Sequence, residues 1–168
     1  MSAEVVIREA TRDDVPTLLG LIAELAEYER AADQARGTPE LLDAALFGAD
    51  PTAEALIAER AGETVGCAIF YRTFSTWECR PGIWLEDLYV RPEHRRGGVG
   101  GLLVHRLAQI ARSRGYARLE WEALEWNTPA LSFYDKLGAI LEHEWRTLRL
   151  DGDALERVAD GSAPGGRS

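Results

Sequence analysis

Several residue types are scarce in this chain, and each scarcity excludes something. Only two cysteines, Cys67 and Cys79, occur in 168 residues. They form no Cys-x-x-Cys pair and have no histidine near them in sequence. A disulfide framework or structural zinc is therefore unsupported, and free thiols in a reducing cytoplasm are the expectation. The histidines, His94, His105 and His143, show no ligand spacing, so no metal is expected. No apolar run approaches the ~20 residues that cross a bilayer. The opening stretch has acids where a signal peptide carries its apolar region, so neither a membrane nor that secretory route is expected. Lys136 is the single lysine. The 19 basic residues are outnumbered by 28 acids, for a net charge of -9. An acidic surface repels nucleic acid and anionic lipid, which removes both as default partners.

The acidity is uneven. Residues 91–118 hold Arg91, Arg95, Arg96, Arg106, Arg112, Arg114 and Arg118 against one acid, Glu93. The chain is 46% hydrophobic, enough for the core of one domain.

Hydrophobic periodicity places the elements. A strand is expected over 4–8, then a helix capped by Thr11 with Val15, Leu18, Ile22 and Leu25 on one stripe, ending near Glu29. A second helix, 39–47, has Thr38 as cap and proline in its first turn. Strands follow at 54–60 and 64–72, joined by a turn at 61–63. A loop with Trp77 and Gly82 leads to a strand at 83–90. The spacing predicts a helix over 99–113, with Leu102, Leu103, Leu107 and Ile110 on its stripe and Gly115 as a left-handed cap. A strand over 117–123, a short helix over 129–137 and a last strand over 143–150 complete the order. This is a mixed α/β pattern, one domain over 1–158, with a disordered tail over 159–168.

The segment Val90-Arg-Pro-Glu-His-Arg-Arg-Gly-Gly-Val-Gly-Gly101 carries the most information. A strand ends, four glycines follow, and a helix begins. Helix starts expose unpaired N–H groups and a positive dipole end, and glycines let backbone approach a ligand. Together they form an anion cradle, with Arg91, Arg95 and Arg96 beside it. The Gly-Lys-Ser/Thr of a nucleotide-hydrolysing P-loop and the spacing of a dinucleotide fingerprint are both missing.

The spacing Arg95-x-x-Gly98-x-Gly100 resembles the pyrophosphate motif of the GCN5-related N-acetyltransferases. Ile7-Arg8-x-Ala10-Thr11 is similar to that family's opening. Glu24-Leu25-Ala26-x-Tyr28-Glu29, Leu85-Glu86-Asp87-x-x-Val90 and Glu125-Trp126-Asn127-x-Pro129 with Phe133-Tyr134 resemble its diamine branch, which includes spermidine/spermine and thialysine acetyltransferases. The resemblance implies the family's single-domain fold, a mixed sheet with splayed parallel strands between helices.

The resemblance also implies a site. Acetyl-CoA would lie along Leu88, Tyr89 and Val90, with its pyrophosphate on Arg95, Arg96, Gly97, Gly98, Val99, Gly100 and Gly101. Asn127, Pro129, Ala130 and Tyr134 would contact the coenzyme further along. Tyr134 matches the general acid that protonates the leaving thiolate. A phenol of pKa near ~10 can serve that thiol. Glu86 is the candidate base for the acceptor ammonium. Strand alternation puts Leu85 and Asp87 on one face and Glu86 on the other, so a charge at Glu86 implies a cleft. Tyr28, Glu29, Trp77, Asp87, Glu120 and Glu122 are candidates for binding a small cationic amine: a polyamine, a diamine or a lysine-like amino acid. A homodimer is implied. Segments 30–38 and 77–82 depart from the branch pattern. An antibiotic or protein amine as acceptor, or a coenzyme-binding module without turnover, therefore remain open alternatives.

Overall fold

The computed structural model describes residues 4–161. The chain divides into two units, Met1–Trp126 and Asn127–Ser168. The first contains β1 (Val5–Glu9), α1 (Val15–Tyr28), α2 (Pro39–Phe47), β2 (Glu54–Arg60), β3 (Glu63–Ser75), β4 (Arg80–Val90), α3 (Val99–Ser113) and β5 (Leu119–Trp121). The strands lie in sequence order in one sheet. The first four are mutually antiparallel and β5 runs parallel to β4. The mixed α/β expectation holds.

Alternating residues of the central strands feed two cores, one on each face of the sheet. Leu56, Ala58, Ala68, Phe70, Ile83 and Leu85 pack with Val99, Leu103, Leu107 and Ile110 of α3. On the other face, Ala55, Ile57, Cys67, Ile69 and Tyr89 pack with Leu18 and Leu21 of α1 and Leu46 of α2. Leu102, expected on the α3 stripe, is exposed, because the buried face runs through Val99, Leu103 and Leu107.

Local chemistry sets the boundaries. The Thr11 N–H donates to Asp14 Oδ2 at 2.7 Å, fixing the entry to α1. Thr38 caps α2 by accepting from the Leu41 N–H. Gly115, at φ 68°, forms the expected left-handed exit from α3.

Three expectations need correction in β3, β4 and β5. The hairpin strands reach Ser75 and resume at Arg80, so Pro81 and Gly82 lie in β4 rather than a loop. Four residues, 76–79, suffice for the turn. The ladder of β5 covers 119–121, not 117–123, because its parallel pairing with β4 begins at Ile83–Leu119 and stops at Leu85–Trp121.

The third correction concerns alternation. Phe70 pairs with Leu85, but the adjacent Ile69 pairs with Asp87, so Glu86 is an extra residue in a β-bulge. The bulge flips the faces downstream. Ile83 and Leu85 face α3, and so do Leu88 and Val90, whereas Tyr89 joins the core under α1. Leu85 and Asp87 therefore do not share a face.

The second unit contains α4 (Thr128–Lys136) and α5 (Gly152–Ala159). Asn127 caps α4 by accepting from the Ala130 N–H at 3.4 Å, and Gly138 at φ 83° follows its end. The strand expected over 143–150 is absent, and α5 follows instead. Period-2 patterning describes a face, but a strand forms only when a neighbour completes its ladder, and 143–150 lies in none. Ala159, expected to begin the tail, ends α5, and the expected disorder over 162–168 lies outside the described residues.

Candidate active site

The glycine-rich loop leaves β4 at Val90, makes a tight turn over Pro92–His94 and enters α3 at Val99. Arg96 adopts φ 66° and Gly98 φ 77°, so the loop turns through two left-handed positions before α3 begins. The left-handed region costs a non-glycine residue roughly 1–2 kcal/mol, so Arg96 holds a strained conformation that the rest of the loop imposes. A Cβ added to Gly98 or Gly101 would meet nothing within 4 Å, which leaves open space over the loop and the first turn of α3. That first turn contains no acid. Exposed N–H groups, a helix N-terminus and room above them fit a pyrophosphate.

The arginines do different work from that expected of a simple charged rim. Arg91 pairs with Glu24 of α1 at 3.2 Å and donates to the Thr64 carbonyl. Arg95 donates from Nε to the Val90 carbonyl at 2.8 Å, with its guanidinium 4.6 Å from the Tyr28 ring centroid and 5.5 Å from that of Tyr89. These two side chains brace the loop. Arg96 is exposed on it. Arg114 and Arg106 serve neither role, since they pair with Glu54 and Glu9.

The β4 backbone beside the loop is paired on one side only. Ile83, Trp84 and Leu85 ladder with β5, whereas Asp87, Leu88, Tyr89 and Val90 ladder with β3 alone. The two parallel strands thus part company at Leu85, and the β5 side of residues 86–90 carries no ladder bonds.

The acids gather at this same point. Glu86, at the bulge, is exposed and accepts from the Trp84 indole N–H at 3.0 Å. The acid withdrawn from solvent is its neighbour. Burial, reinforced by the Glu86 and Glu29 charges, pushes the Asp87 carboxyl up to about 6. Burial also raises Glu29, at the end of α1. Glu86 and Glu122 both act on Tyr71, raising its phenol behind the larger effect of burial. Asp87 thus feels Glu29 and Glu86, while Glu122 shares with Glu86 an effect on Tyr71. Tyr28 stands beside them in sequence, its ring 5.9 Å from that of Trp126.

Of two further predicted site residues, Glu120 lies in register with Trp84 on the neighbouring strand and Trp77 stands apart. Glu120 pairs with Arg118 at 3.0 Å. Trp77 is 86% exposed in the β3–β4 turn. About 20 Å of extended strand separates Arg80, at the base of that turn, from Glu86. In the second unit, Asn127 is buried at the cap of α4, Pro129 and Ala130 form the first turn, and the Tyr134 ring lies 5.1 Å from that of Phe133.

Sequence reasoning missed the clasp of Arg91 by Glu24, because salt-bridge partners 67 positions apart leave no local signal. It also missed Arg60. That side chain ends β2 and reaches His94, 34 positions away, at 3.3 Å.

Comparisons with known proteins bear on this geometry. The acetyltransferase (GNAT) family model matches residues 19–139. A thialysine N-epsilon-acetyltransferase from Bos taurus is 39% identical over 168 residues, covering 94% of this chain and 98% of its own. An L-ornithine N5-acetyltransferase from Arabidopsis thaliana is 34% identical over 111 residues, 65% of this chain and 49% of its own. An integron cassette protein from the mobile metagenome of V. cholerae superposes with a TM-score of 0.77 at 28% identity, covering 95% of this chain and 98% of its own. The phosphate loop, the parted strands and these similarities together place the chain in the GNAT acetyltransferase family, as an enzyme that transfers an acetyl group to an amine.

Proposed function

We propose that the enzyme moves acetyl from acetyl-CoA to the primary amine of a small cationic acceptor: a polyamine, a diamine or a lysine-like amino acid. The observation that carries this reading is the convergence of Glu29 and Glu86 on Asp87, whose carboxyl they help push up to about 6. Carboxylates crowded in this way repel one another, and a bound cation relieves them. The names of the relatives point the same way, since thialysine and ornithine each carry a terminal amine.

In this reading acetyl-CoA supplies a thioester. The N–H groups of Arg96 through Gly101 hold its pyrophosphate, and the backbone of Leu88, Tyr89 and Val90 orients its pantetheine arm. Tyr28, Glu29, Asp87 and Glu122 bind the acceptor. An alkylammonium has pKa near ~10 and must lose a proton before its nitrogen can attack. Glu86, exposed at the bulge beside Asp87, takes that proton through water. The C–N bond forms, the C–S bond breaks, Tyr134 gives its phenolic proton to the departing thiolate, and the second proton shed by the acylated nitrogen restores the phenol through solvent. Asn127 sets the start of α4, which carries Tyr134. Trp77 and Glu120 lie outside this proposed acceptor set.

We further infer a homodimer in the cytoplasm. Light scattering at twice the 18.6 kDa chain mass is the expected result for the dimer. The free thiols of Cys67 and Cys79 suit a reducing compartment.

An amine panel assayed with acetyl-CoA, read by thiol release, tests the reading. Turnover with thialysine, ornithine or short diamines, and little with aminoglycosides or peptide N-termini, is expected. Turnover confined to the latter pair would overturn the acceptor assignment. Tight coenzyme binding without thiol release would leave a regulatory module in its place.

A further inference from the structure

Arg60 belongs to β2, outside the loop, yet its guanidinium lies against the loop backbone. Its Nη2 is 2.9 Å and its Nη1 3.5 Å from where a Cβ on Gly97 would stand, with the His94 carbonyl oxygen 3.3 Å from the same point. Nη1 also lies 3.3 Å from His94 Nδ1. Because a guanidinium only donates, this contact requires the imidazole to carry its proton on Nε2 and accept at Nδ1.

Two further observations bear on this arginine. Its Nε is buried and has no hydrogen-bond partner. Among the described residues, no carboxylate forms an ion pair with it, a lack it shares with Arg95 and Arg96 of the loop, whereas Arg91 at the loop's start is paired with Glu24. A half-buried cation with an unanswered N–H is costly, and such a group calls for an explanation.

We propose that Arg60 is a positioning residue for the phosphate-bearing part of acetyl-CoA: it props the loop at His94 and Gly97, and the coenzyme's polyanion supplies the counter-charge that the protein omits. The inference rests on the acetyl-CoA reading of the loop. A Cβ at residue 97 would press on the end of this guanidinium, which would have to shift to admit it. With Arg60 in this role, part of the binding charge shifts from the exposed loop arginines to one held beneath them. The loop geometry and the charge then come from different strands, and binding couples the end of β2 to the entry of α3.

The test is calorimetry with coenzyme A on the full chain, alongside steady-state KM values for acetyl-CoA and for the best amine of the panel. Arg60→Gln is expected to raise the coenzyme A Kd and the acetyl-CoA KM about tenfold, with the amine KM changing less than about twofold. Arg60→Lys, which keeps the charge without the planar fork, should fall between it and the wild type. An unchanged coenzyme A Kd overturns the proposal, and so does a proportional rise in both KM values, the signature of a merely structural role. If Arg60→Gln does not fold, Arg60→Lys is judged by the same split, with a rise of about threefold expected. Failure of the wild type to bind coenzyme A would refute the loop reading itself, a result distinct from wild-type binding that the substitutions leave unchanged.

Discussion

Glu24 reaches from α1 to Arg91 at the mouth of the phosphate loop, with Arg91 Nη2 3.2 Å from Oε1 and Nε 3.4 Å from Oε2. One acid of the helix that leads to Tyr28 and Glu29 thereby neutralises one base of the loop. The two charge islands of the sequence are joined at their edges.

Removing this clasp has a modest expected cost. Both side chains are more than a third exposed, so Glu24→Gln should destabilise the fold by only about 0.5 kcal/mol. Urea unfolding in low salt and in 1 M salt (~3 Å Debye length) checks this, because the difference should shrink in high salt. A loss that does not respond to salt would mean that packing, not charge, links α1 to the loop.

A second ion pair governs acid stability. Arg8 donates to both Asp14 oxygens, at 2.7 and 2.8 Å, and holds that carboxyl down at about 2. A depressed carboxyl stabilises the fold above its unfolded pKa, and this contribution fades as pH falls toward the folded value. Asp14→Asn should therefore cost about 1–2 kcal/mol at pH 7, allowing for solvent screening, and the gap from wild type should close between about pH 4 and 2. Denaturation midpoints across that range provide the readout.

Asp87 behaves in the opposite sense. Its carboxyl is raised to about 6, so the folded state takes up its proton more readily than the unfolded chain does. Its favourable contribution is complete below the unfolded pKa, near 3.8, and is lost as pH climbs through 6. Asp87→Asn should thus stabilise the apo-protein by about 2 kcal/mol at pH 7 and by little at pH 4, while weakening amine binding. A variant less stable than wild type at pH 7 would show that the carboxylate is satisfied by contacts rather than stressed by them.

Tyr134→Phe isolates the proposed proton donor. Turnover should fall at least about tenfold, with the coenzyme A Kd essentially unchanged in calorimetry. Unaltered kcat would remove the phenol from the mechanism.

Elements with local causes were legible in the sequence. Thr38 caps α2 and Gly115 ends α3 because each acts on backbone within a few residues. The loop was equally readable, since glycine placement and the start of a helix are both local. The acid pair was only half readable. Period-2 reasoning counts residues and cannot see the extra one opposite Ile69–Phe70, so it put Asp87 with Leu85 and gave Glu86 the burial that belongs to Asp87. Arg60 was invisible because the strand that carries it says nothing about Gly97. The 143–150 stretch has strand-like alternation, but pairing depends on a neighbour, which composition does not encode.

The bulge at Glu86 has a consequence for how this position tolerates change. Phe70–Leu85 and Ile69–Asp87 are successive on the β3 side, and the register shift between them is the one extra residue on the β4 side. Deleting Glu86 would leave those pairs, and both cores, where they are. The proposed base is thus an insertion into a sheet complete without it. The side chain at this position answers to the Trp84 indole and to the proposed acceptor rather than to either core.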